Sequence, residues 1–159
     1  MSKKVLITGG NKGIGLAVSR AMLEFGYEII IVARDFDTCP LVGVENVTAI
    51  EYDLSNVDAL PELAKTVGNI DILINNAGYM QPKYTYNNYP KDAREHIMNV
   101  DLYTPVELMN IFCEHMKKQK YGRIVNTASI AGQIGHPDVW YGIAKAGLIN
   151  ATKIYGKML

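Results

Sequence analysis

Tyr141 and Lys145 lie four positions apart near the start of the last predicted helix, so that one helix face carries both. A free tyrosine ionises only at about pH 10, and a nearby ammonium group stabilises its phenolate form. Such a tyrosine can give a proton to a carbonyl oxygen, or take one from an alcohol, near neutral pH. Ser129 ends the preceding predicted strand, where its hydroxyl could hold the same oxygen. A Tyr–Lys pair at this spacing is common by chance, so its meaning depends on the rest of the chain.

A glycine-rich stretch near the amino terminus predicts a nucleotide-phosphate site. Residues 8–15 read TGGNKGIG and connect an apolar run, residues 5–7, to a helical pattern. A helix that begins there presents unpaired N–H groups and the positive end of its dipole to a phosphate. Glycines let the backbone turn tightly and approach a pyrophosphate. The spacing Gly9-x-x-x-Gly13-x-Gly15 departs from the dinucleotide pattern Gly-x-Gly-x-x-Gly, so a glycine-rich turn without a ligand is the alternative.

Arg34 directly follows the second predicted strand, where a site for NAD places an acidic residue that binds the ribose hydroxyls. The arginine fork instead suits the additional 2′-phosphate of NADP. Lys12, inside the glycine loop, would add a second positive charge. The alternatives are a solvated surface pair, or Asp35 as the ribose acid, which would favour NAD. We favour NADP, because Arg34 comes first after the strand and Lys12 agrees with it.

The elements that position these residues alternate between buried-strand runs and helical periodicity. Residues 28–33 form a continuous apolar, β-branched run, as in a strand that is buried on both faces of a parallel sheet. The third predicted strand ends at Asp53-Leu54, and the fourth ends in the small residues at positions 75–78, which leave room for a ligand. The pattern predicts strands at residues 5–8, 28–33, 47–52, 70–74 and 123–129, and helices at 13–25, 58–67, 90–118 and 138–158. Pro105 is expected to bend the third helix or to mark an irregular turn.

Composition limits the classes of function. The 159 residues fit a single domain, residues 1–159, and the 48% hydrophobic and 20% charged contents are typical of a globular protein. The formal net charge is zero, which argues against nucleic-acid or membrane partners. Cys39 and Cys113 have no metal-ligand spacing and are expected to be reduced thiols of a cytoplasmic protein. We predict no metal site, no signal peptide and no membrane span.

Several of these motifs occur together and in a recognisable order. The chain resembles the short-chain dehydrogenase/reductase family, and Lys12 with Arg34 further resembles the NADPH-dependent carbonyl reductases of that family. The resemblance implies a three-layer α/β fold, a Rossmann-type doubly wound parallel sheet with strand order 3-2-1-4-5. The matching residues extend over the whole chain: Thr8, Gly9, Gly13, Ile14, Gly15, Asp53, Asn75, Asn76, Ala77, Gly78, Asn99, Ser129, Tyr141 and Lys145.

The resemblance also implies roles for individual residues. Tyr141 is the proton donor, Lys145 its modulator and a ribose ligand, and Ser129 the anchor of the carbonyl. Asn99 is implied as part of a water-linked proton relay. Asp53 and Leu54 are expected to border the adenine ring. The residues expected to bind the cofactor are Gly9, Asn11, Lys12, Gly13, Ile14, Gly15, Arg34, Asp53, Leu54, Asn76, Ala77, Gly78, Tyr141 and Lys145.

The implied function is an NADP(H)-dependent oxidoreductase that interconverts a small-molecule carbonyl and an alcohol. The alternative is a non-catalytic or weakly active NADP-binding or interaction protein. Family members continue beyond position 159 into further strands, one of which carries a loop that holds the nicotinamide. We therefore expect a fold without the family's last strands, adenosine-half binding of NADPH and weak turnover. We also expect a homodimer or larger homo-oligomer, because residues 123–129 would form an apolar edge strand and because the family dimerises through its long helix and last helix.

Overall fold

The computed structural model describes residues 2–81 and 86–159. A parallel sheet of five strands, in the order β3-β2-β1-β4-β5, forms its middle layer. The strands are β1 (Lys4–Thr8), β2 (Glu28–Ala33), β3 (Val47–Glu51), β4 (Ile72–Asn75) and β5 (Arg123–Asn126). The predicted strand order is confirmed. Because β1 pairs with both β2 and β4, the direction of winding reverses between β1 and β4, and such a point is where open α/β sheets form a binding crevice.

Helices cover both faces of this sheet. They are α1 (Gly13–Glu24), α2 (Leu60–Val67), α3 (Lys91–Met98), α4 (Thr104–Lys118) and α5 (Val139–Met158). Short 3-10 turns lie at Val57–Ala59 and Ile130–Gly132. The single helix predicted at residues 90–118 is interrupted by a π-helical turn, Asn99–Tyr103, that joins α3 to α4. Pro105 follows this turn as the second residue of α4, so the irregular turn expected at this proline is present directly before it.

Alternation of side chains along the strands produces two separate cores. On one face, Leu6 and Leu73 pack with side chains of α2, α4 and α5 such as Leu63, Leu108 and Leu148. On the other face, the core contains Val5, Ile7, Ile29, Ile31, Ile72 and Ile74, against which Leu16, Val18 and Met22 of α1 pack. The strand β2 is therefore buried on both sides, as its unbroken apolar run predicts. Cys39 and Cys113 are both buried and form no disulfide.

The strands near the candidate site end differently from the prediction. Strand β5 was predicted to reach Ser129 but ends at Asn126, although Thr127 still donates a backbone hydrogen bond to Asn75 O at 2.8 Å. The Ser129 hydroxyl accepts a hydrogen bond from Ala131 N at 3.2 Å and so caps the following 3-10 turn. Ser129 consequently lies just beyond the strand, in the connection that leads to α5. Residues 79–89, between β4 and α3, contain four tyrosines and predict a polar loop, of which positions 82–85 lie outside the described residues.

Candidate functional site

A cavity of about 380 Å³ opens at the carboxyl edge of the sheet, beside the point where the winding reverses. Of the predicted cofactor ligands, only Gly13 and Lys145 do not line it. Gly13 faces open space, and Lys145 is buried, with 2% of its surface exposed. The predicted ligands that do line it are Gly9, Asn11, Lys12, Ile14, Gly15, Arg34, Asp53, Leu54, Asn76, Ala77, Gly78 and Tyr141.

The glycine loop is packed too closely for side chains at two of its positions. Gly9 has a φ of +65°, and a Cβ there would lie 3.0 Å from Ala77 Cα. A Cβ on Gly15 would lie 2.0 Å from Gly9 O, well inside van der Waals contact. The Ser19 hydroxyl, which is fully buried, bonds to Gly10 O at 3.1 Å and Gly15 O at 2.9 Å. These contacts fix the loop at the N-terminus of α1, where no side chain of the described residues caps the helix.

The glycine loop and the end of β4 form one rigid wall. The Thr8 hydroxyl accepts hydrogen bonds from the backbone N–H groups of Asn76 and Ala77, at 3.0 and 3.1 Å. In return, the Asn76 side-chain amide donates to Thr8 O and to Gly9 O, both at 3.2 Å. The two sequence motifs therefore meet across the β1–β4 junction, and their relative position is set without a ligand.

One end of the cavity is charged. Lys12 and Arg34 are both exposed there, next to Asp35 and Asp53. The Asn11 side chain donates to Asp35 O at 2.9 Å and so fastens the glycine loop to the end of β2. A hydrogen bond from Ser55 N lowers the pKa of Asp53, and the charges of His96 and Arg34 act in the same direction. Asp53 is therefore ionised near neutral pH and offers a hydrogen-bond acceptor to a ligand.

Tyr141 lies on the cavity wall, and Lys145 lies beneath it. Asp138 caps the start of α5 by accepting a hydrogen bond from Tyr141 N at 3.1 Å, while its other oxygen accepts one from Gln81 N at 3.0 Å. The Lys145 ammonium donates to Thr127 O at 3.0 Å and lies 5.6 Å from the centre of the Tyr141 ring. The structure thus brings together the predicted Tyr–Lys pair and the end of β5.

The π-helical turn separates the two polar residues that it carries. The Asn99 side chain donates to Ser55 O at 2.9 Å, so its amide is directed toward the β3–α2 connection and not toward Lys145. Asp101 faces Lys145 instead, with Oδ1 3.0 Å from Nζ. Burial raises the pKa of Asp101, and the adjacent Lys145 charge partly offsets this. No pattern of residue types pointed to Asp101, because the position of a π-helical turn cannot be read from apolar periodicity.

Other residues at the cavity were also missed. Tyr79, Met80, Val100 and Thr127 line it together with His96. His96 of α3 is partly exposed, and the ring of Tyr79 packs edge-on against it with the centroids 4.3 Å apart. His136, in the connection before α5, lies with its ring centre 5.7 Å from that of Tyr141.

Metal-binding clusters and membrane-spanning helices are both absent from residues 2–81 and 86–159. Nowhere in these ranges do three or more His, Cys, Asp or Glu side chains gather in a way that could hold a metal ion. Among the described helices, none combines the length and the apolar character that crossing a bilayer requires.

Comparison with known proteins gives consistent matches over the whole chain. The family model for "short chain dehydrogenase" matches residues 3–158. A ketoacyl reductase, HetN, of Nostoc sp. is 35% identical over 161 residues, which cover 94% of this chain and 56% of the relative. An acetoacetyl-CoA reductase of Shinella zoogloeoides is 32% identical over 160 residues, which cover 96% of this chain and 66% of the relative.

Solved structures agree with these relatives. A 4-hydroxyisoleucine dehydrogenase complexed with NADH superposes with a TM-score of 0.93 at 27% identity, covering 99% of this chain and 68% of that one. A metagenomic short-chain oxidoreductase in complex with NADP gives 0.89 at 26% identity, covering 99% of this chain and 75% of that one. The chain spans between 56% and 69% of the length of the first curated relatives that it matches. Since the family model matches nearly every position, the chain belongs to the short-chain dehydrogenase family.

Proposed function

We propose that this chain is an NADP(H)-dependent oxidoreductase that interconverts a carbonyl and an alcohol, with Tyr141 as the proton donor. The observation that carries the proposal is a single cavity that joins the glycine loop, the cations Lys12 and Arg34, and Tyr141 above a buried Lys145. In that one cavity, the glycine loop suits the pyrophosphate, the two cations suit the 2′-phosphate, and Tyr141 suits the reacting carbonyl. The ketoacyl and acetoacetyl-CoA reductases among the relatives support a carbonyl substrate.

Different residues of the chain would bind different parts of the cofactor. Asp53 and Leu54 would border the adenine ring, and Arg34 with Lys12 would bind the 2′-phosphate through charge-assisted hydrogen bonds. The free N–H groups at the start of α1 would bind the pyrophosphate. Lys145 would bind a ribose hydroxyl from beneath Gly78, since a Cβ on Gly78 would lie 3.6 Å from its Nζ.

The proton transfer that accompanies hydride transfer would take place at the Tyr141 hydroxyl. A bound nicotinamide would supply the hydride to the carbonyl carbon, or accept it from the alcohol. In the direction of reduction, Tyr141 gives its proton to the carbonyl oxygen, and in the reverse direction it takes the proton back. Ser129 does not line the cavity, and its hydroxyl accepts a hydrogen bond from Ala131 N. The hydroxyl keeps its own proton, which it would donate to the carbonyl oxygen. The role of Asn99 in a water-linked proton relay stays a prediction, and its side-chain amide nitrogen donates to Ser55 O at 2.9 Å.

A binding titration followed by a turnover assay tests the proposal. NADPH should bind the purified protein and change its own fluorescence. It should then be oxidised in the presence of some members of a panel of ketones, aldehydes and 3-oxoacyl thioesters. Binding without turnover of any member would contradict the catalytic role and leave a nucleotide-binding protein. Failure to bind NADPH would contradict the assignment of the cavity.

Arg34→Ala should change the choice of cofactor. Loss of a charge-assisted contact to the 2′-phosphate is expected to weaken NADPH binding about ten- to a hundredfold, and NADH binding by less than about twofold. Arg20→Ala is the matched control, because Arg20 is exposed on α1 and does not line the cavity. Equal losses for NADPH and NADH would show that Arg34 does not read the 2′-phosphate.

Self-association is part of the same proposal. The β5 strand has no second neighbour among the described strands, and its Val125 side chain is 51% exposed. On α5, Ile143 and Ile154 are also about half exposed. Apolar edges and faces of this kind favour pairing with another chain, so we expect a homodimer or a larger homo-oligomer in the cytoplasm. Light scattering well above micromolar concentration measures this, and a strictly monomeric mass would contradict it.

A further inference from the structure

A buried carboxylate joins three segments of the chain beside the cavity. Asp138 is 2% exposed and directly precedes α5. Its Oδ1 accepts hydrogen bonds from Tyr141 N at 3.1 Å and from the Tyr89 hydroxyl at 3.0 Å. Its Oδ2 accepts one from Gln81 N at 3.0 Å. The start of α5, the loop after β4 and the segment before α3 therefore meet at one side chain.

Capping of α5 explains only part of this arrangement. An N-cap needs one side-chain oxygen, which serine, threonine or asparagine supplies as well as aspartate does. A buried carboxylate is costly unless it is hydrogen-bonded, and here two of its donors lie outside α5. Those donors belong to Gln81 and Tyr89, the residues that flank positions 82–88. Asp138 thus binds the chain on both sides of that segment.

The loop after β4 forms part of the cavity wall. Tyr79 and Met80 line the cavity together with Tyr141. The Tyr79 N–H donates to Asp101 Oδ2 at 2.9 Å, and the N–H two positions further along the chain donates to Asp138. Met80 therefore lies between two fixed points of the backbone. Since Asp138 also accepts from the backbone of Tyr141, one carboxylate sets the position of this wall relative to Tyr141.

We propose that Asp138 is a positioning residue that fixes the loop after β4 against the start of α5, so that a carbonyl substrate at Tyr141 meets a preformed wall of Tyr79 and Met80. The inference rests on the proposed function, which places the carbonyl at the Tyr141 hydroxyl. Asp138 is not among the described residues that line the cavity, so it acts through these neighbours. A wall that is ordered before the substrate arrives lowers the ordering cost of binding.

A pair of substitutions at position 138 separates this role from simple capping. Asp138→Ser keeps one oxygen for Tyr141 N but cannot also hold Gln81 and Tyr89, whereas Asp138→Ala loses the cap as well. Asp138→Ser should raise KM and lower kcat/KM for a carbonyl substrate at least about tenfold. It should leave the affinity for adenosine 2′,5′-bisphosphate, which fills only the adenosine half of the site, within about twofold.

The control is Asp58→Asn, which changes an exposed carboxylate in the 3-10 turn Val57–Ala59, away from the cavity lining. It should leave kcat, KM and the bisphosphate affinity unchanged. A kcat/KM of Asp138→Ser equal to that of the wild type, with a loss only in Asp138→Ala, would show that Asp138 does no more than cap α5. Equal losses for the substrate and the bisphosphate would also overturn the proposal.

A double-mutant cycle tests the connection to the segment before α3. Tyr89→Phe removes the hydroxyl that donates to Oδ1 and should lower kcat/KM about threefold or more. In the Asp138→Ser background the same change should have little further effect, because the hydroxyl acts through Asp138. Losses that add fully in the double variant would contradict this connection.

Hydrogen exchange without ligand supplies an independent arm. In Asp138→Ser the backbone amides of residues 79–81 should exchange at least about tenfold faster than in the wild type, while those of α1 stay unchanged. Unchanged protection of residues 79–81 would overturn the proposal. A wild type that reduces no member of the carbonyl panel overturns the proposed function, and with it the role toward substrate. The exchange arm then still decides whether Asp138 fixes the loop, and circular dichroism checks that each variant is folded.

Discussion

Tyr141→Phe should lower the turnover of a carbonyl substrate by at least about a hundredfold, because a positioned general acid contributes about 10²- to 10⁴-fold to the rate. The substitution removes the hydroxyl and keeps the half-buried ring that lines the cavity. The Lys145 ammonium remains beneath that ring, held by Thr127 O and Asp101. NADPH affinity should therefore stay within about tenfold of the wild type, since a single neutral hydrogen bond contributes about 0.5–1.5 kcal/mol.

The control for this variant is Tyr121→Phe. Tyr121 lies outside the cavity, beside the start of β5, and its ring packs against the side chains of Lys3 and Arg123. It should leave turnover unchanged, so that a loss seen only in Tyr141→Phe reports the chemical step. Turnover that survives in Tyr141→Phe would exclude this hydroxyl as the proton donor. Loss of NADPH binding to a similar degree would instead show that Tyr141 acts mainly in holding the cofactor.

Gly15→Ala should weaken NADPH binding about a hundredfold, because overpacking of this kind costs about 1–3 kcal/mol and displaces the phosphate-binding loop. The new Cβ would lie 2.0 Å from Gly9 O and 2.5 Å from the Asn76 side-chain nitrogen. The first of these is backbone, so rotating a side chain cannot relieve the clash. The loop must move away from α1, and the N–H groups at the helix start then lose their common direction.

The matched control is Gly156→Ala on α5. A Cβ at this position meets no atom within 4 Å, and the residue lies inside a helix, where alanine is favoured over glycine by about 0.5–1 kcal/mol. This variant should bind NADPH normally and melt at the same or a slightly higher temperature. If Gly15→Ala binds NADPH as well as Gly156→Ala does, the glycine loop is not the pyrophosphate site.

Much of the fold could be predicted from residue type and spacing. The apolar run at residues 28–33 became β2 with the same limits, because a strand buried on both faces needs an unbroken set of apolar side chains. The glycine loop was also readable, since the close approach of Gly9 to Ala77 and of Gly15 to Gly9 O tolerates no side chain. Parallel pairing then places the end of β4 beside that loop, which is why most of the predicted cofactor ligands line one cavity.

The residues around Lys145, at the centre of the site, were harder to predict from the sequence. Apolar periodicity describes residues 90–118 as one helix, because a π-helical turn changes the register by a single residue and leaves the overall pattern intact. The direction of every side chain around that turn depends on its hydrogen bonds, which residue types do not reveal. Nothing in the sequence therefore indicated that Asp101 lies beside Lys145, whereas the Asn99 side chain donates to Ser55 O. An ion pair across 44 positions of the chain leaves no local trace in the sequence.

Transfer of a labelled hydride tests the proposed function most directly. The protein is incubated with NADPH that carries deuterium on the reactive carbon of the nicotinamide, in each stereoisomer separately, together with the carbonyl panel. We expect mass spectrometry to find one deuterium on the carbinol carbon of the alcohol from one stereoisomer and not from the other, and we expect none from Tyr141→Phe. A wild-type protein that binds NADPH yet yields no deuterated alcohol above the protein-free blank would contradict the assignment of this cavity to hydride transfer.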